Sequence, residues 1–409
     1  MLYFSYMPPA HKAETPPKKL FGMNRNIFML GLTSFFNDFS NEMILSSFPA
    51  FFTSVLKSGA ASLGLVEGIA DGAANILKIY SGQLSDRLRK RRIFIFIGYS
   101  MSVIVRPFYI FMGSVAGVLG LRVIDRVGKG IREAPRDVII SVSSAPGEIG
   151  RSFGYHRAMD TVGGILGPLT AFLILWQWPG AFSTVFMTAF VIGLLSVITI
   201  LFVKDVFIAP SLNGSRIFSF STIKILPPRF KIYLVSIFIL SIGSLPTAVL
   251  LLSVLSIGMS VASIPLFYMV YGLSFAVFSY GAGKLSDGIG TSRVLVFGYV
   301  LLMLSYLMFA LSQTIPTLVI AFITLGIFSA CTDSTQRAFV AKATPESERG
   351  TAYGIFNAVV GFGVMFAGIF GGYLWQYAGP LTAFFAGILL VVIGLILFYI
   401  SSKIGRNIA

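Results

Sequence analysis

Apolar residues fall along this chain in blocks of about 20, the length a helix needs to cross a hydrocarbon core of ~30 Å. Twelve blocks can be read, over 27–55, 62–84, 93–113, 115–138, 154–176, 181–203, 230–255, 262–283, 294–312, 315–340, 352–376 and 380–402. Each predicts one spanning helix, because lipid offers no partner for unpaired backbone groups. Turn signals such as Trp178-Pro179-Gly180 and Gln313-Thr314-Ile315-Pro316 separate neighbouring blocks. The longest polar connection, 204–229, divides them into two sets of six. The expected fold class is an all-α membrane protein of twelve transmembrane helices in two six-helix bundles. The expected divisions are a tail at 1–26, a bundle at 27–203, a central loop at 204–229, a bundle at 230–402 and a tail at 403–409.

Composition agrees with this pattern. Of 409 residues, 56% are hydrophobic and 11% charged, against roughly 25% charged in a soluble domain. The net charge is +15, but the cations lie in short segments between apolar blocks, so nucleic acid is not an expected partner. One set of loops carries Arg87, Arg89, Lys90, Arg91, Arg92, Arg151, Lys204, Arg216, Lys224, Arg229, Lys231, Arg293, Lys342 and Arg349. The opposite set carries little besides Lys57. Both termini are therefore expected in the cytoplasm, with the chain multi-pass in a bacterial inner (plasma) membrane. The first 20 residues lack an apolar core and contain Pro8, Pro9, Pro16 and Pro17. They read as a cytoplasmic tail, not a signal peptide. Cys331 is the single cysteine, and with only His11 and His156 as histidines no metal cluster or cofactor is expected.

The two halves repeat. Gly82-Gln83-Leu84-Ser85-Asp86 returns 201 residues later as Gly283-Lys284-Leu285-Ser286-Asp287. Gly154 and Gly163 return 200 residues later as Gly354 and Gly363, and Arg136 corresponds to Arg337 at 201. The stretch Gly82-x-Leu84-Ser85-Asp86-Arg87-x-Arg89-Lys90-Arg91-Arg92 resembles the loop motif G-x-L-x-D-R-x-G-R-R of the major facilitator superfamily. It departs from that motif at Arg89, where the second copy keeps Gly290. Arg126-x-x-x-Gly130 resembles the family's membrane-embedded arginine motif. Gly154-x8-Gly163-x3-Gly167-Pro168 resembles a pattern of its antiporters, with Ala171 and Phe172 in place of the closing glycines. The resemblance covers about 27–402. It implies two bundles related by pseudo-two-fold symmetry and a gating role for Gly82, Asp86, Arg87, Arg91, Gly283, Asp287, Arg136 and Arg337. It also implies a packing role for Gly154, Gly163, Gly167 and Pro168. Asp86 is expected near the start of helix 11 at Thr351, and Asp287 near Ser152.

Charged residues inside the blocks are unevenly shared. Each costs ~2.5–3.5 kcal/mol near a membrane centre, so it must face a partner or water. Helix 1 holds Asn37, Asp38, Asn41 and Glu42; helix 2 holds Glu67, Asp71, Asn75 and Lys78 within an arc of about 80°. Helix 4 holds Arg122, Asp125, Arg126, Lys129, Arg132, Glu133 and Arg136 within about 120°. Helix 5 adds Asp160, while helices 7, 8, 9, 11 and 12 hold almost none. Asp38, Glu42, Glu67, Asp71, Asn75, Arg126 and Asp160 are the expected proton-coupling and substrate cavity. A carboxyl there can bind and release a proton, since burial favours its neutral form and a cation its charged form. The plainer reading is that Arg126 neutralises Asp38 or Glu42 and joins helices 1, 2 and 4. Lys129, Arg132 and Arg136 read as contacts near the cytoplasmic surface. Phe267, Tyr268, Tyr271, Phe275, Phe278 and Tyr280 supply aromatic surface in helix 8, read first as packing.

These residues point to a secondary transporter of a small organic solute with protons as coupling ion, acting as a monomer in the bilayer. The helix 5 pattern favours antiport and efflux; an uptake porter for a nutrient or metal chelate is the alternative, and a non-transporting receptor or scaffold is a more remote one. No phosphate loop G-x-x-x-x-G-K-[ST] occurs, so an ion gradient is the expected energy source. His156 and Asp160 lie four apart as an acid–base pair would, but no nucleophile motif accompanies them, and the chain is not read as an enzyme.

Overall fold

The structure is a computed structural model. It describes residues 19–20, 23–88, 91–145, 148–205, 228–312, 314–344 and 349–404, with side chains described except at 19–20, 78–88, 349–351 and 404. Twelve long helical segments follow one another: α1 Arg25–Ser54, α2 Ala60–Leu88, α3 Arg91–Ile104, α4 Val115–Ser143, α5 Ile149–Gln177 and α6 Phe182–Ile200, then α7 Pro228–Ile242, α8 Ile264–Ile289, α9 Thr291–Leu311, α10 Ile315–Ala343, α11 Arg349–Ala378 and α12 Pro380–Ile404. They form the expected twelve-helix, two-bundle fold. Among the described residues nine segments are long and apolar enough to span a membrane, and α1, α2 and α4 are not among them. Those three carry most of the intramembrane charge.

The N-terminal segment is not wholly irregular: a two-residue antiparallel ladder pairs Lys19–Leu20 with Met23–Asn24. Asn24 then caps α1 by accepting from the Asn26 amide at 2.9 Å. The Asn26 side chain donates to the Lys204 carbonyl at 3.0 Å and accepts from the Lys204 amide at 2.9 Å, tying the start of α1 to the end of α6.

Two blocks expected to be continuous helices are broken by proline. The third changes to a 3-10 turn at Arg106–Phe111, where Pro107 lacks an amide proton. The seventh stops at Ile242 and resumes as short turns at Thr247–Leu250 and Ser253–Ser256. Here Tyr306 of α9 bridges backbone groups that the break before Pro246 leaves outside the helix. Its hydroxyl accepts from the Leu245 amide at 2.7 Å and donates to the Gly243 carbonyl at 3.0 Å. Buried backbone in lipid must find such partners.

The repeat seen in sequence is also a repeat in packing. A Cβ on Gly163 in α5 would strike the backbone of Phe35 and Phe39 in α1; one on Gly363 in α11 would strike Ser241 and the Phe238 carbonyl in α7. Gly98 of α3 presses on Gly128 of α4, and Gly298 of α9 presses on Cys331 and Thr332 of α10. Gly290 ends α8 at φ 98°, a conformation that glycine adopts without a Cβ penalty.

The bundles meet along α2 and α11. Gly64, Gly68 and Gly72 face Gly361, Gly368 and Gly372 so closely that backbone lies against backbone. α5 also packs on α8, and α1 on α8 and the resumed part of α7. These glycines run from the start to the middle of α2 and from the middle to the end of α11, so the seam closes the side away from the termini. On the side of the termini α4 and α10 do not pack together. Asp333 and Arg337 there are exposed, with side-chain accessibilities of 52% and 59%.

Candidate functional site

The charges of the first bundle fall into two groups. One is a dry cluster between α2 and α4. Arg122 donates from Nε and Nη2 to both oxygens of Glu67 at 2.8 and 2.7 Å, and from Nη1 to Asp125 Oδ2 at 2.8 Å. Its guanidinium lies 5.1 Å from the centre of the Phe48 ring. Arg126, one turn on, has Nε 2.8 Å from Asp71 Oδ1 and Nη2 4.0 Å from Glu67 Oε2. The Arg126 Nε–H is not aimed at an acceptor despite that short distance, so the contact is an ion pair and not a well-formed hydrogen bond. Asp71 is the open edge of the cluster, with 39% of its side chain accessible. Asn75 donates to the Asp71 carbonyl on its own helix at 3.1 Å.

The second group lines a cavity of about 360 Å³ between the bundles. Asp38 and Glu42 of α1, Lys129 of α4 and Arg157 and Asp160 of α5 form its charged wall. Tyr268, Tyr271 and Phe275 of α8 form the other wall. Two side-chain contacts join the walls at the cavity. Tyr268 donates its hydroxyl proton to Glu42 Oε2 at 2.6 Å, and the Arg157 guanidinium lies 5.1 Å from the Phe275 ring centre. Asn37 donates to Asp38 Oδ1 at 3.0 Å and Asn41 to Glu42 Oε1 at 2.9 Å. Behind Asp160, His156 Nδ1 sits 3.4 Å from Asp160 Oδ2. His156 is buried.

Of the residues expected to share one site, the structure therefore gathers Asp38, Glu42 and Asp160 around the cavity. It holds Glu67, Asp71 and Arg126 in the cluster behind, beside Asn75. Arg126 pairs with Asp71, not with Asp38 or Glu42. Lys129 reaches the cavity and lies 3.8 Å from Glu133. Arg132 instead binds α3, donating to Ser102 Oγ at 2.6 Å with its guanidinium 4.4 Å from the Tyr99 ring centre.

The gating residues are only partly described. The side chains at Lys78, Gly82, Asp86, Arg87 and Thr351, and all of Arg89, lie outside the described residues. Arg91 is buried at the start of α3. Arg136 pairs with Asp137 at 3.0 Å and Arg337 with Asp333 at 3.6 Å, each within its own helix. Asp287 is exposed, Gly283 has open space beside it, and Ser152 bonds the Glu148 carbonyl. On α5, Gly163 and Gly167 press against α1, next to Pro168; Gly154 has nothing within 4 Å, so no helix contact forms there.

Two site residues escaped the sequence reading. Arg157 lies between His156 and Asp160 and faces the cavity. Arg106 is a lone cation in the apolar block 93–113, and that position inside a membrane span was the signal available. In the aromatic stock Tyr268, Tyr271 and Phe275 face the cavity, Phe267 is core, and Phe278 and Tyr280 are exposed.

A family model described as Major Facilitator Superfamily matches residues 30–248 and 232–406. The chain is 36% identical over 384 residues to an uncharacterized MFS-type transporter of Methanocaldococcus jannaschii, covering 92% of this chain and 95% of that one. Its fold is similar to that of a POT family transporter solved in complex with 5-aminolevulinic acid, with TM-score 0.79, 15% identity, and 95% and 98% of the two chains covered. It is also similar to the nucleoside transporter NupG, with TM-score 0.71, 18% identity, and 93% and 99% covered.

Proposed function

This chain belongs to the Major Facilitator Superfamily and is a multi-pass membrane transporter; from that premise we propose that it is a proton-coupled secondary transporter exporting a small organic solute. The observation that carries the reading is the bond from Tyr268 to Glu42, which joins the two bundles at a carboxylate in the wall of the cavity. A hydrogen bond to an ionised carboxylate is roughly twice as strong as one between neutral groups. A proton arriving at Glu42 weakens the bond, and so does a solute group that takes Tyr268's place. Either event loosens α1 from α8 and favours rocking of one bundle against the other.

Asp38 and Asp160 give the proton alternative acceptors in the same cavity. Lys129 and Arg157 offer the solute cationic partners, and the α8 rings offer an apolar face. A cavity of about 360 Å³ falls within the ~300–1,000 Å³ usual for small-molecule sites. Export is read from the resemblance of Gly163, Gly167 and Pro168 to the antiporter pattern. An acting monomer in a plasma membrane completes the proposal.

The test uses proteoliposomes loaded with the pH dye pyranine and exposed to a panel of amines, amino acids, nucleosides and aromatic acids. One class of solute is expected to move protons in the opposite direction. That movement should be lost in Asp38→Asn, Glu42→Gln and Asp160→Asn, and reduced several-fold in Tyr268→Phe. Solute flux that ignores an imposed pH gradient in the wild type would remove proton coupling from the reading. Protons moving with the solute would reverse the proposed direction.

A further inference from the structure

Arg106 differs from the other buried cations of the first bundle. Arg122 and Arg126 lie against carboxylates. Arg106, 2% exposed, has no carboxylate within 4.0 Å among the described residues. It is held by neutral groups: Nη2 donates to Asn37 Oδ1 at 3.0 Å, and Nη1 donates to Ser40 Oγ, whose proton goes on to the Ala189 carbonyl of α6. Gly193 of α6 leaves room for this arrangement, since a Cβ there would strike Arg106 Nη1. Asp125 and Asp38 lie within electrostatic reach but make no ion-pair contact with it; a buried charge held this way is costly, and an apolar side chain would fill the space at less cost.

The partners show what the charge can do. A guanidinium donates and never accepts. The Asn37 amide must therefore turn its oxygen to Arg106, which directs its NH2 the other way. That NH2 donates to Asp38 Oδ1 at 3.0 Å. Asp38 lines the cavity, and among the described residues the hydrogen-bonded path from Arg106 to it runs through Asn37. The other charged or titratable groups facing Asp38 are Glu42 on its own helix, Lys129 and Arg132 on α4, Arg157 and Asp160 on α5 and the phenols of α8. Among the described residues the Asn37 side chain hydrogen-bonds Arg106 and Asp38 and none of these others.

We propose that Arg106 is a positioning residue: through the Asn37 amide it presents a fixed, cation-polarised donor to Asp38 and so governs how readily Asp38 exchanges its proton. The inference rests on Asp38 being a proton-carrying group, as proposed above.

Dicyclohexylcarbodiimide, which attacks protonated carboxyl groups in apolar surroundings, gives a readout that needs no solute. Full-length protein in proteoliposomes is labelled across the neutral pH range, and mass spectrometry resolves Asp38 from Glu42 and Asp160. Arg106→Gln is expected to raise the Asp38 rate several-fold at neutral pH, with Glu42 and Asp160 unchanged. Asn37→Ala should do the same, and the double variant should match either single one. Gly193→Ala, which displaces the guanidinium but keeps its charge in the protein, should give the same sign if Arg106→Gln does not fold. Thr33→Val removes the bond between Thr33 and Thr199 that also joins α1 to α6, and should change nothing. An Asp38 rate that ignores Arg106 and Gly193 replacement, additive effects of Arg106 and Asn37, or an equal response to Thr33→Val would each overturn the inference alone. Failure to label Asp38 at any pH in the wild type would overturn both the inference and the proton role it rests on.

Discussion

Replacing Arg122 with Met tests the dry cluster. Arg122 makes three charged hydrogen bonds of 2.7–2.8 Å with 1% of its side chain accessible. Its loss strands Glu67 and Asp125, whose side chains are 4% and 8% accessible. The nearest cation left to Glu67 is Arg126 at 4.0 Å. Breaking one buried pair costs ~3–5 kcal/mol, and here two carboxylates lose a partner, so the upper end of that range is expected. Glu67→Gln should cost less, about 3 kcal/mol, because Arg122 keeps Asp125. The double variant Glu67→Met with Arg122→Met strands only Asp125. It should be more stable than Arg122→Met alone, a coupling of ~2 kcal/mol or more. Cys331 makes the assay simple: it is the chain's only cysteine and it is buried. A thiol-reactive dye therefore reports unfolding from one site during heating. The expected order of unfolding temperature is wild type, then the double variant or Glu67→Gln, then Arg122→Met. Wild-type behaviour of Arg122→Met, or a double variant carrying the sum of both losses, would show that the buried pair does not hold α2 to α4.

Two further outcomes follow from single contacts. Tyr306→Phe leaves the Leu245 amide and Gly243 carbonyl without their shared partner and should cost ~1–3 kcal/mol, read with the same dye. Gln376 of α11 accepts from the Ala61 amide of α2 at 2.9 Å, capping a helix of the other bundle on the closed side. Gln376→Ala should weaken that closure by about 1 kcal/mol, seen as an increased population of long distances between spin labels at positions 57 and 377.

The helices were legible because a membrane span is a length of apolar sequence, and twelve lengths gave twelve helices. The repeat was legible because Gly163 and Gly363 perform the same packing in each bundle. The breaks near Arg106 and Gly243 were harder to see, since Pro107 and Pro246 sit inside unbroken apolar runs and Tyr306, which bridges one break, comes from another helix. Within the site, charge sign and helix face identified Asp38, Glu42 and Asp160 as candidates. Periodicity states which face of α2 is polar, but not whether that face meets water or a cation. Glu67 and Asp71 met arginines of α4, a matter of helix rotation that no single helix encodes. Lys129 was read as lying near the cytoplasmic surface but reached the cavity, because α4 continues to Ser143 and so places it at the middle of the helix.

In the proposed cycle two rigid bundles alternate the side to which the Asp38–Glu42–Asp160 cavity opens. Distances between paired spin labels follow this motion, using Lys57→Cys with Tyr377→Cys on the closed side and Arg151→Cys with Lys342→Cys on the open side, in a Cys331→Ser background. Two populations are expected for each pair, exchanging in opposite senses, with proportions that change as the medium is acidified. A single distance for each pair, the same at every pH and unmoved by Glu42→Gln, would contradict it.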